Sequence, residues 1–185
     1  IREIEAQGCN ALCFFSTSSP DAASGCGGFK EALSKYVCAD GKCYADVFIN
    51  TIKFSLFSIR ACALDDLTKL NITVLQAYTL YRSYQEWYEN FDGMSAVEVA
   101  YSVSLPEFDG IIHSCPVTTM ERDAEGKQVT QDIAERMNML VRKAKKLALL
   151  RIKPNAEKKI AIIFHNHPST NSNIGSCSAI DSIES

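Results

Sequence analysis

The sequence has no apolar stretch near the roughly 18–20 residues that a membrane-spanning helix needs, and no basic-apolar-small leader opens it. Neither sign of charge dominates. The formal net charge is −3, which gives nucleic acid no electrostatic footing. Phosphate cradles are missing too: there is no Gly-x-Gly-x-x-Gly and no Gly-x-x-x-x-Gly-Lys. So are the His-Glu-x-x-His zinc signature, a Ser-His-Asp order and paired glycosidase carboxylates. The eight cysteines contain no Cys-x-x-Cys pair. A disulfide framework suits small secreted chains that are short of core, and a chain that is 46% hydrophobic is not one of them. Reduced thiols and a cytoplasmic setting are therefore expected. Cys9, Cys13 and Cys62 lie among apolar neighbours and should be buried as small hydrophobes.

What is present suits an ordinary α/β globule of one domain, or one and a half, in 185 residues. Apolar runs predict strands near 11–15, 45–50, 72–77 and 111–114. Between them lie helical spacings. Ile1 to Gln7 reads as a helix tail stopped by Gly8, and Phe29 to Tyr36 as a helix interrupted after Val37. Tyr78 to Asn90 predicts a helix rich in aromatics. Met94 to Tyr101 is read as helix, although Val97, Val99 and Tyr101 alternate. Glu121 to Gln128 is a charged loop, and Thr130 is placed as the cap of the clearest helix. There Ile133, Met137, Leu140, Val141, Ala144, Leu147 and Ala148 form one stripe at three- and four-residue steps. Acidic residues near its start and basic ones near its end suit the helix dipole. Pro154 prevents continuation. Alternating strands and helices imply a largely parallel sheet with helices on both faces, in Rossmann or flavodoxin-like layers.

Residues 1–154 are assigned to that domain, and 155–185 to a strand, a loop and the start of a helix. The isoleucine-rich run Ile160 to Phe164 reads as a strand buried on both faces. It delivers His165, Asn166, His167 and Pro168 to a loop of Ser, Thr and Asn containing Gly175. In open α/β sheets such loops at strand carboxyl ends bind ligands. His165 and His167, two apart, can offer two imidazole nitrogens to zinc, nickel or cobalt. Asn166, Asn171, Asn173 and Gly175 either cradle an anion or only shape the turn. Three other groupings have structural readings beside chemical ones. His113 and Cys115 can pair as base and nucleophile, but no orienting acid is evident. Cys26, Cys38 and Cys43 with Asp40 can offer zinc donors, at a spacing unlike any zinc module. The aromatics from Tyr78 to Tyr88 can line a macrocycle pocket or simply fill core.

The order of these motifs resembles the large subunit of cobaltochelatase, a family that includes the magnesium chelatase H subunit. The likeness rests on His-Asn-His-Pro at 165–168, Asn-x-Asn-Ile-Gly at 171–175, and an apolar residue before Asp181. Leu105-Pro-Glu-Phe-Asp-Gly-Ile-Ile112 and the segment Pro154 to Ile163 are similar to two upstream strand leads of that family. His167 stands where the family usually has an aromatic, and His113 and Cys115 where it tends to have Glu and Pro. The family's His-Gly-(Thr)-(apolar)-Glu-Trp motif does not occur in these residues.

The resemblance implies a fragment of a larger multidomain subunit, and the start at Ile1 fits that expectation. It implies ATP-dependent insertion of cobalt into a corrin-type tetrapyrrole in cobalamin biosynthesis. The alternatives are magnesium and protoporphyrin, or a non-catalytic scaffold. The metal, cobalt or magnesium, is substrate. ATP is handled by ATPase partner subunits, which accords with the missing P-loop, and no tightly bound cofactor is expected. His165 is the candidate catalytic residue, Asn166, Asn173 and Gly175 the candidate ligand-binding residues, and His165 with His167 the candidate metal donors.

Overall fold

Val47–Asn50 (β3) and Thr73–Thr79 (β4) are mainly apolar, branched or aromatic runs with few polar breaks, the pattern of strands covered on both faces. They form half of a four-stranded sheet in a computed structural model that describes residues 1–16, 20–39, 42–53, 55, 68, 70–166, 170–171 and 174–175. The sheet order is β3-β4-β5-β6, with β5 spanning Ser114–Arg122 and β6 spanning Gln128–Asp132. β3 pairs parallel with β4 and β4 parallel with β5, while β5 and β6 form an antiparallel hairpin. The sheet is thus mixed and mostly parallel, as expected.

The helices are α1 (Arg2–Ala6), α2 (Gly28–Ala32), α3 (Tyr84–Glu89), α4 (Ala96–Val99), α5 (Leu105–Phe108) and α6 (Ala134–Ile152). A π turn, Leu33–Val37, extends α2 and leads into a two-residue hairpin of β1 (Cys38–Ala39) and β2 (Lys42–Cys43). A second π turn, Ala100–Ser104, joins α4 to α5. Pro106 explains it. Proline has no N–H for the Ser102 carbonyl and its ring needs room there, which a widened turn supplies.

Alternation along β3 and β4 builds two cores. Phe48 and Val74 pack with Phe29, Leu33, Val37 and Ile111 on one face. Val47, Ile49, Leu75 and Ala77 pack with Leu140, Ala144 and Leu147 of α6 on the other. Helices therefore cover both faces. The α6 stripe read from the sequence is the one that is buried.

Several sequence expectations fail, each for a local reason. Residues 11–15 form no strand; Leu12 and Phe15 are exposed there, and a short apolar run alone does not secure a ladder partner. Cys13 is exposed rather than buried, and Cys9 is half-buried; Cys62 lies outside the described residues. The strand expected at 111–114 begins only at Ser114 and runs to Arg122, with Ile111 and Ile112 before it. Leu105 to Gly110, expected to lead into a strand, is the last helical turn and its exit. The aromatic segment is strand through Thr79, and helix only from Tyr84, where Ser83 and Glu86 form a capping box. Glu121 to Gln128 spans the β5–β6 turn with strand on either side, and Thr130 pairs with Met120 instead of capping a helix. α6 starts at Ala134, with the Ile133 carbonyl accepting from Arg136 and Met137.

The chain divides into two compact units, Ile1–Ile152 and Lys153–Ser185. The second opens with Pro154 and a 3-10 turn, Asn155–Glu157, held by Lys158 Nζ on Asn155 Oδ1 at 2.7 Å. The buried strand expected at Ile160–Phe164 is not there. The segment joins no ladder among the described residues, and Ile160, Ile162 and Ile163 are 84, 75 and 92% exposed. A β-branched sequence takes strand form only where a neighbour accepts its backbone bonds and covers its faces. The helix expected after Ser178 lies outside the described residues. No described helix is long and apolar enough to cross a membrane.

Candidate functional site

Two regions carry polar groups in ordered arrangements, one in each unit. In the second unit the chain turns back after the apolar run. Asn166 and Ile174 form an antiparallel bridge. The Gly175 N–H donates to the His165 carbonyl at 2.8 Å. Gly175 has φ of +71°, a backbone state that glycine enters without penalty, so its placement at the loop closure has a steric cause. The structure therefore brings together three of the residues expected from sequence: His165, Asn166 and Gly175. His165 and Asn166 are exposed. His167 and Asn173 lie outside the described residues. Among the described residues no three His, Cys, Asp or Glu side chains cluster as metal ligands.

In the first unit the carboxyl ends of β3, β4 and β5 carry a second, more buried polar arrangement that the sequence did not disclose. At its floor Asn50 Nδ2 donates to Gln76 Oε1 at 2.7 Å, and both residues reach the backbone of Ile52. Above, Glu98 of α4 is 2% exposed. It accepts from the Tyr81 N–H at 2.8 Å, the Ser95 N–H at 2.9 Å and Arg82 Nη2 at 3.1 Å. Burial alone would raise the Glu98 carboxyl. The backbone donors of Ser95 and Tyr81, the Ser95 hydroxyl and the Arg82 guanidinium outweigh it and hold the group below the usual carboxylate range. Lys53 sits with its ammonium 3.6 Å from the centre of the Tyr81 ring, within cation–π reach. An open cleft of about 600 Å³ adjoins this rim, bordered by Tyr81, Arg82, Glu86, Met120, Glu121 and Arg122.

The cleft is charged with both signs, and its acids are already engaged. Glu121 accepts from the Tyr84 N–H and the Thr119 hydroxyl, and Glu86 caps α3 through Ser83. A ligand pocket for a flat apolar ring needs mainly apolar walls. The described strands also run in sequential order, so no topological switch point of the kind that opens a crevice is formed among them. One signal for this rim was legible: Ser83-x-x-Glu86 and Ser95-x-x-Glu98 are both capping-box patterns. That Glu98 also reaches across to Tyr81 and Arg82 was not.

Of the grouping of Cys26, Cys38 and Cys43 with Asp40, Asp40 lies outside the described residues; the other two groupings are structural. Cys115 is buried under α6, where burial pushes its thiol up. His113 instead meets Lys143 Nζ at 3.0 Å through Nδ1, and burial and that ammonium lower its pKa. Alternation does put both on the α6 side, but no activated thiol results. Tyr84 and Trp87 pack on Tyr78, Leu80 and Ile133 as core. Tyr78 is pushed up to about 12, by burial first and then by nearby Cys115 and Glu98.

The sequence profile of the CobN/Magnesium Chelatase family matches residues 1–185. The chain belongs to that family. An uncharacterized protein of Methanocaldococcus jannaschii is 32% identical over 168 residues, covering 85% of this chain and 14% of that protein. The aerobic cobaltochelatase subunit CobN of Pseudomonas aeruginosa is 29% identical over 143 residues, covering 74% and 11%. The fold matches the catalytic subunit of cobaltochelatase from Mycobacterium tuberculosis with a TM-score of 0.66 at 25% identity, over 88% of this chain and 14% of that one. The chain thus spans about one seventh of the length of these relatives.

Proposed function

We propose that these residues form an internal domain of a metal-chelatase large subunit that inserts cobalt into a corrin-type tetrapyrrole in cobalamin biosynthesis. The observation that carries the reading is the fold match to the catalytic subunit of cobaltochelatase, joined to a family match over residues 1–185. The metal is substrate. In this reading ATP hydrolysis falls to ATPase partner subunits, as the family resemblance implies and in keeping with the lack of a P-loop motif in these residues, and no tightly bound cofactor is expected. The setting is cytoplasmic.

Insertion needs an acceptor for the pyrrole N–H protons and donors that the metal can shed in turn. A histidine titrates near neutrality and also ligates such metals. In this reading His165 takes the proton and, with His167, hands over the metal. Asn166 and Asn173 hold ring carboxylates through their side-chain N–H donors, while Gly175, whose own N–H is committed to the His165 carbonyl, closes the loop that presents them. The loop closure between His165 and Gly175 and the exposure of His165 support it.

The test is a visible-absorption titration of the chain with a metal-free corrin bearing acetate and propionate groups, with and without cobalt. Spectral shifts that weaken at least about tenfold in His165→Ala are expected. A flat titration would instead favour a scaffold domain, a reading that the open, doubly charged cleft supports. Tighter binding of protoporphyrin, with a response to magnesium, would favour the magnesium branch of the family.

A further inference from the structure

We propose that Cys38 and Cys43 form a thiol–disulfide exchange site that accepts a small-molecule disulfide, such as oxidised glutathione, and closes as a cross-strand disulfide. The two residues face each other directly across the antiparallel β1–β2 pair, with Ala39 opposite Lys42 as the next pair of the ladder. The Tyr44 N–H donates to the Val37 carbonyl at 2.9 Å, so positions 37 and 44 are a hydrogen-bonded pair. Hydrogen-bonded and non-hydrogen-bonded pairs alternate along an antiparallel ladder. Cys38 and Cys43 therefore hold a non-hydrogen-bonded position, where Cα atoms approach to about 4.5 Å and side chains lie closest. A disulfide accepts Cα separations of about 4.4–6.8 Å. The backbone is thus already placed for the bond.

Both cysteines are free and half-buried, so a small oxidant can reach them. Both pack against the cluster of Phe29, Leu33 and Val37, which restrains the hairpin from splaying. Among the described residues no other two cysteines are partners in a strand ladder.

The chemistry is a two-step exchange. One thiol gives its proton to solvent, and the thiolate attacks a sulfur of the small disulfide. The protein–glutathione mixed disulfide forms and one glutathione thiolate leaves. The second cysteine, deprotonated in turn, attacks the protein sulfur of that mixed disulfide. The Cys38–Cys43 bond forms and the second glutathione thiolate leaves. The protein dithiol has lost two electrons and two protons, and one glutathione disulfide has become two thiols.

The sequence allows a direct readout. Lys35, Lys42 and Lys53 are tryptic sites, so residues 36–42 and 43–53 separate into peptides with one cysteine each. The unmutated chain is equilibrated with mixtures of reduced and oxidised glutathione, alkylated, and digested without reduction. The two peptides should appear linked, at least about tenfold above any other cysteine-linked pair, in proportion to the oxidised share. Cys38→Ser and Cys43→Ser should each leave the remaining cysteine as a glutathione adduct. The proposal is overturned if both peptides stay alkylated across the series, if both carry glutathione in the unmutated chain, or if either links equally to other cysteines.

Discussion

Glu98→Gln isolates the polar knot at the sheet's carboxyl end. The carboxylate is buried at 2% exposure and serves three donors, two on one oxygen and one on the other. Glutamine keeps one acceptor oxygen. If that oxygen stays with Ser95 and Arg82, its amide NH₂ confronts the Tyr81 N–H donor to donor. A buried N–H left without an acceptor costs about 1–3 kcal/mol. The Ser95 bond becomes a neutral one, about half as strong as its charge-assisted form, and the Arg82 bond keeps only the charge of the guanidinium. The sum is about 2–4 kcal/mol, discounted from the full cost of a broken buried ion pair because the Arg82 side chain keeps 19% exposure. Urea unfolding of the first unit should show a lower midpoint with an unchanged slope. The pH dependence has a fixed sign. A carboxyl held below its unfolded value stabilises the fold above that value, near 4.5, and loses the contribution as pH falls through the lowered folded value. The wild-type chain should therefore lose stability relative to the variant below about pH 4.5. A Glu98→Gln protein within about 0.5 kcal/mol of wild type, as for a surface change, would refute the reasoning.

Other perturbations reach different layers. Asn50→Ala removes the donor to Gln76 Oε1 and the acceptor of the Ile52 N–H; a loss of about 1–3 kcal/mol is expected in urea unfolding. The double variant with Gln76→Leu should cost less than the two single losses added together, because both partners are then gone. Leu75→Ala opens a hole at a fully buried position under α6, and should cost about 2–5 kcal/mol by the same measurement.

The resemblance to chelatases was legible because it rests on short motifs in order, and order survives without knowledge of packing. The α6 stripe was legible for a similar reason: period and burial coincide on a long helix lying on one sheet face. β5 was not. Its Thr, Glu and Arg residues look like loop, and only pairing on both sides with β4 and β6 makes Ser114–Arg122 a strand. The candidate site divides along the same line. His165, Asn166 and Gly175 were picked out by residue type, and the glycine's positive φ gives one of them a steric reason. The strand meant to carry them was misjudged, because burial of Ile160–Phe164 depends on neighbours that the segment's own residues do not specify.

By itself, the sequence determined the kinship, the alternation of strand and helix, and the capping boxes, all of which depend on residues a few positions apart. Tertiary structure alone decided that Glu98 would reach beyond its own capping box to Tyr81 and Arg82, that Asn50 would meet Gln76, and that Cys38 would face Cys43 in register. Those contacts follow from how distant backbone segments are set side by side, and the free energy that sets them is shared across the whole packed unit.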